Sequence, residues 1–116
     1  MKKITKVETQ KIFKESRVCL LYSKFAIMEL DELQSKVETA DERLDETNES
    51  YVDKFWFGWK KSIKVTDNYV KFENDSRVDL IPNNEYYYYK GNYGVDYLVL
   101  ISQLEKCTII YGVEKE

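Results

Sequence analysis

The apolar residues of this chain keep two different periods, and the switch between them limits the folds open to it. Leu30, Leu33, Val37, Ala40, Leu44, Thr47 and Tyr51 follow alternating steps of three and four, the spacing of one stripe along a helix. From Phe55-Trp56-Phe57-Gly58-Trp59 onward, β-branched and aromatic residues dominate at two-residue alternation, the period of a strand. The two regimes predict an α+β fold in a single domain over residues 1–116, helical over 5–50 and sheet over 55–113. The expected form is N-terminal helices, one of them long and acidic, packed on one face of an antiparallel meander of five or six short strands.

Local signals set the expected elements. Thr5-Lys6-Val7-Glu8 has the spacing of a capping box, so a short helix runs from Thr5 to about Lys14, with Val7, Ile12 and Phe13 as its apolar face. Val18 to Tyr22 and Phe25 to Met28 have strand character. The Ser23-Lys24 between them lacks the turn chemistry of a tight hairpin, and Leu, Ala and Met favour helix, so Val18 to Leu30 reads as helix. Ile63-Lys64-Val65 and Tyr69 to Phe72 flank Thr66-Asp67-Asn68 as a hairpin, with a turn at Asn74-Asp75-Ser76. Arg77 to Ile81, Glu85 to Lys90, Val95 to Ser102 and Cys107 to Val113 are the further strands, punctuated by Pro82-Asn83-Asn84 and Gly91-Asn92-Tyr93-Gly94.

Charge is segregated along the same chain. Glu29 to Asp53 holds ten of the 21 carboxylates against only Lys36 and Arg43, a local net of −8. Met1 to Met28 carries net +5 and the remainder net 0, so the overall −3 conceals a polarised molecule. On the helix that contains Leu30 to Tyr51, the carboxylates fall mainly off the apolar stripe. An acidic back of this kind either pairs with the basic N-terminal helix or is presented to a basic partner. The narrow seam suits one partner helix, from the same chain or from a second copy in a homodimer.

Several chemistries are excluded by residue type. There is no histidine, so Ser-His-Asp and Cys-His nucleophiles and His bases are ruled out. Cys19 and Cys107 stand apart among apolar neighbours, read as reduced core thiols, and no metal or cofactor site is expected. A disulfide between the two remains open on sequence grounds. Gly91 to Gly94 lacks the spacing of a phosphate loop. No apolar run approaches the ~20 residues of a membrane span, and the basic start has no apolar stretch behind it, so a cytoplasmic chain without membrane association is expected. Lysine outnumbers arginine fifteen to three, which argues against direct nucleic-acid reading.

Three functional expectations follow, none of them catalytic. In the first, Glu38, Asp41, Glu42, Asp45, Glu46 and Glu49 form an acidic surface that docks on a basic, nucleic-acid-binding host protein. The Lys, Asn, Tyr and Ile bias resembles low-GC bacterial or phage genes, so the sharpest form is a mobile-element inhibitor of host defence, of the anti-CRISPR kind. In the second, Trp59, Tyr86, Tyr88, Asn92 and Tyr93 line a nucleotide or small-ligand pocket on the sheet. A structural or assembly role is the third reading.

Overall fold

The computed structural model describes residues 1–45 and 58–115. Its elements, in chain order, are β1 (Lys2–Ile4), α1 (Lys6–Glu15), β2 (Val18–Lys24), α2 (Leu30–Asp45), β3 (Ser62–Val65), β4 (Tyr69–Phe72), β5 (Arg77–Asp79), β6 (Asn84–Tyr89), β7 (Val95–Ser102) and β8 (Cys107–Glu114). The class is α+β, as the periodicity predicts. The described strands divide into a five-stranded sheet, in the order β1-β6-β7-β8-β2, and a three-stranded sheet of β3, β4 and β5. Every pairing is antiparallel.

The meander β6-β7-β8 is the frame. β7 pairs with β6 from Tyr89 opposite Tyr97 to Asn84 opposite Ser102, and with β8 from Val95 opposite Glu114 to Ser102 opposite Cys107. All eight residues of β7 are buried, so this sheet is covered on both faces. Successive side chains of a strand alternate between faces. Leu98 and Leu100 accordingly join Phe13 of α1, Val70, Phe72, Val78 and Tyr111 in one core. Val95, Tyr97, Val99 and Ile101 join Leu33, Val37 and Leu44 of α2 in the other.

The two helices therefore lie on opposite faces of the large sheet, rather than together on one face. The three-stranded sheet shares the α1 layer, and α2 covers the other face. Among the described residues, the seam of α2 packs on strands and not on a second helix. Leu33, Val37 and Leu44 are buried there, whereas Leu30 at the first turn is exposed. Thr47, Tyr51 and the aromatic run Phe55 to Phe57 lie outside the described residues.

Val18 to Lys24 is a strand, correcting the expected helix. It pairs with β8 from Val18 opposite Val113 to Lys24 opposite Thr108, with an irregularity between Leu20 and Tyr22. A long-range ladder overrides the modest helix preference of Leu, and Val18 and Tyr22 fit it. β1 is an additional edge strand on β6, and its Lys2 and Lys3 are of the type that protects an edge from further pairing.

The capping box is present. Thr5 Oγ1 accepts from the Glu8 amide at 3.1 Å, and Glu8 Oε1 accepts from the Thr5 amide at 3.1 Å. Phe13 is the buried anchor of α1, while Val7, expected on its apolar face, is exposed and Thr9 is buried instead. The turns fall where Asp, Asn and Gly were read: Asp75 has φ 67°, Asn83 φ 68° and Gly94 φ 87°. Cys19 and Cys107 are free thiols. Cys19 lies opposite Gly112, five residues along β8 from Cys107, a separation of about 17 Å at strand rise, far beyond a disulfide. Burial raises both thiol pKa values.

Candidate functional site: the flanks of helix α2

With Leu33, Val37 and Leu44 held against the sheet, helical geometry fixes where the rest of α2 points. Asp31, Glu38 and Glu42 fall along one outer flank and are exposed. Glu38 and Glu42 are one turn apart, with about 6 Å between them, and Asp31 stands two turns below Glu38, a rise of about 10 Å. Glu38 Oε1 accepts from Gln34 Nε2 at 2.6 Å. The ion pairs among the described residues are Lys3 with Glu85, Arg17 with Glu114, Lys71 with Asp75, Arg77 with Asp79 and Lys115 with Asp96. None of them involves a carboxylate of α2. The flank also acts on its neighbour: Tyr89 of β6 has a raised phenol pKa, first through burial and then through the charges of Glu38, Asp41 and Glu42.

Asp41 does not belong to this surface. It is 2% exposed and lies on the sheet side of α2, four residues after Val37 and three before Leu44. Its Oδ2 accepts from the Asn92 amide at 3.0 Å and from Asn92 Nδ2 at 3.2 Å, and its Oδ1 accepts from the Tyr97 hydroxyl at 3.3 Å. A buried carboxylate needs such donors. Asp41 is thus a clamp between α2 and the β6–β7 turn, which corrects its expected role in partner binding. Asp45 ends α2, and Glu46 and Glu49 lie outside the described residues.

A second carboxylate holds the same turn from the other side. Asp96, 7% exposed, accepts from the Gly91 amide at 3.0 Å, from Lys115 Nζ at 3.1 Å and from the Tyr88 hydroxyl. Gly91 is required there, because a Cβ would lie 1.8 Å from the Val95 carbonyl oxygen.

These contacts also disperse the five residues expected to line a pocket on the sheet. Tyr86 and Tyr88 face the α1 layer. Tyr86 is 4% exposed, with burial raising its phenol pKa and nearby Asn84 acting the other way; its hydroxyl has no partner at hydrogen-bonding geometry. Tyr88 is occupied by Asp96, and burial followed by that carboxylate pushes its pKa up. Trp59 packs against the core on the α2 face, and Asn92 is committed to Asp41. Tyr93 is exposed on the turn. Tyr87 and Tyr89 face α2, so neither pair of the tyrosine run forms an open aromatic surface.

The other flank of α2 was missed by sequence reading. It borders a cleft of about 680 Å³ between α2 and β2, lined by residues that include Tyr22, Glu32, Ser35, Lys36, Thr39 and Arg43. Its signal in the sequence is faint: Lys36 and Arg43, seven residues apart, share a helix flank. Comparison of the chain with protein families, with curated proteins and with solved structures found no match.

Proposed function

We propose that this chain is a small non-catalytic binding protein that presents the outer flank of α2 to a basic, nucleic-acid-binding surface of another protein. The observation that carries this reading is the position of the acidic flank. The internal alternative required the basic N-terminal helix to neutralise it, and α1 packs on the opposite face of the sheet. Asp31, Glu38 and Glu42 are exposed and without ion pairs among the described residues. Like charges one turn apart on a helix cost a few tenths of a kcal/mol each, a cost that a cationic partner relieves. An inhibitor carried by a phage or other mobile element, occupying the site where its target holds phosphates, is the sharpest form of the proposal.

The test is a capture experiment with paired variants. Wild-type protein and the Glu38→Lys/Glu42→Lys variant are used as bait in extracts, at low and high salt, with and without double-stranded DNA as competitor. A target of the proposed kind is retained by the wild type and lost with the charge reversal, with salt and with DNA. Retention that survives both charge reversal and DNA competition removes the acidic flank from the reading.

A further inference from the structure

We propose that the cleft between α2 and β2 binds an amphipathic anion, a carboxylate or phosphate head attached to an apolar body. Lys36 and Arg43 are the only two cations in the acidic stretch from Glu29 to Asp53, and both line this one cleft. Lys36 makes no ion pair among the described residues, although a carboxylate stands one turn before it. The case of Lys36 is informative. Glu32 precedes it by four residues, the favoured orientation for a helical ion pair. Lys36 Nζ instead lies 4.0 Å from the centroid of the Tyr22 ring, across the cleft on β2.

The rest of the lining fits the same class of ligand. Ser35 and Thr39 add hydroxyls beside the two cations, and Cys19, Leu21, Val37, Ala40 and Ile110 add apolar surface. At about 680 Å³ the cleft is within the size range of small-molecule sites. Among the described lining residues, a head group between Lys36 and Arg43 meets two cations against the one carboxylate of Glu32, and the apolar body follows the floor toward Ile110. This site uses none of Trp59, Tyr86, Tyr88, Asn92 and Tyr93, and it lies on the opposite flank of α2 from Glu38 and Glu42.

The anionic fluorophore 8-anilinonaphthalene sulfonate tests the site on the full chain, with neutral N-phenyl-1-naphthylamine in parallel. Saturable binding at a single site is expected, with NMR amide shifts at Tyr22, Lys36 and Arg43. Lys36→Gln/Arg43→Gln should weaken the anionic probe by about tenfold or more and leave the neutral probe within about twofold. Thr39→Trp, at an exposed lining position, should block both probes while circular dichroism stays unchanged. Decanoate or decyl phosphate should displace the anionic probe. Absence of saturable binding, equal affinity in the charge-neutral double variant, shifts mapping elsewhere, or displacement by neither competitor would overturn the proposal.

Discussion

Asp41 and Glu42 are sequence neighbours with the same charge, and replacing each by alanine should have very unequal consequences. Asp41→Ala removes the acceptor for three hydrogen bonds, from the Asn92 amide, Asn92 Nδ2 and the Tyr97 hydroxyl. Hydrogen bonds to a charged group contribute about 1.5–3 kcal/mol each, offset in part because a buried charge is removed with them. A net loss of roughly 3 kcal/mol follows, or about 12 °C in Tm at roughly 4 °C per kcal/mol for a domain of this size. Glu42 is exposed and without a hydrogen bond or ion pair among the described residues, so Glu42→Ala should stay within about 0.5 kcal/mol. Thermal unfolding followed by circular dichroism reads both. An Asp41→Ala variant melting within about 2 °C of wild type would refute the clamp.

Other outcomes follow from the same contacts. Gly91→Ala places a Cβ 1.8 Å from the Val95 carbonyl oxygen and 2.6 Å from Asp41 Oδ1, so it should cost at least about 2 kcal/mol in urea denaturation. Gly94→Ala meets open space at φ 87° and should cost only about 1 kcal/mol of backbone strain. Thr5→Ala breaks the capping box of α1 and should lower stability by about 1 kcal/mol. Hydrogen bonding to Arg17 holds the Glu114 carboxyl below its ordinary 4.5. Its folded pKa is depressed, so its contribution is present above the unfolded value and is lost as pH falls through the folded one. The denaturation midpoints of wild type and Glu114→Gln should therefore differ at neutral pH and converge in acid below 4.5.

What the sequence made legible was mostly local. The capping box at Thr5 and Glu8, the hairpin around Thr66 to Asn68, and strand β7 all rest on neighbours within a few positions, and each formed where it was read. Strand β1 was not legible, and the strand character of Val18 to Tyr22 did not decide β2 against helix, because the stability of both comes from partners far along the chain, such as Lys3 opposite Tyr87 and Val18 opposite Val113. Asp41 carried a usable signal. It sits four after Val37 and three before Leu44, the same steps as the apolar seam, so its burial was foreseeable from helical spacing. Its donors were not, since they come from the β6–β7 turn and from β7, more than fifty residues away. The placement of Tyr86 and Tyr88 under the α1 layer, and of Tyr87 and Tyr89 under α2, follows from strand alternation once both faces of the sheet are covered. Coverage of both faces is a property of topology rather than of the tyrosine run itself.

The acidic flank of α2 is tested most directly by competition for a captured partner. With that partner bound to labelled double-stranded DNA, fluorescence anisotropy should fall as wild-type protein is added, and the displacing concentration should rise steeply with salt. Glu38→Lys/Glu42→Lys, with Asp41 left intact and the Tm preserved, should fail to displace the DNA. Displacement by the charge-reversed variant at the wild-type concentration, or a stable ternary complex with DNA still bound, would contradict the assignment of this surface.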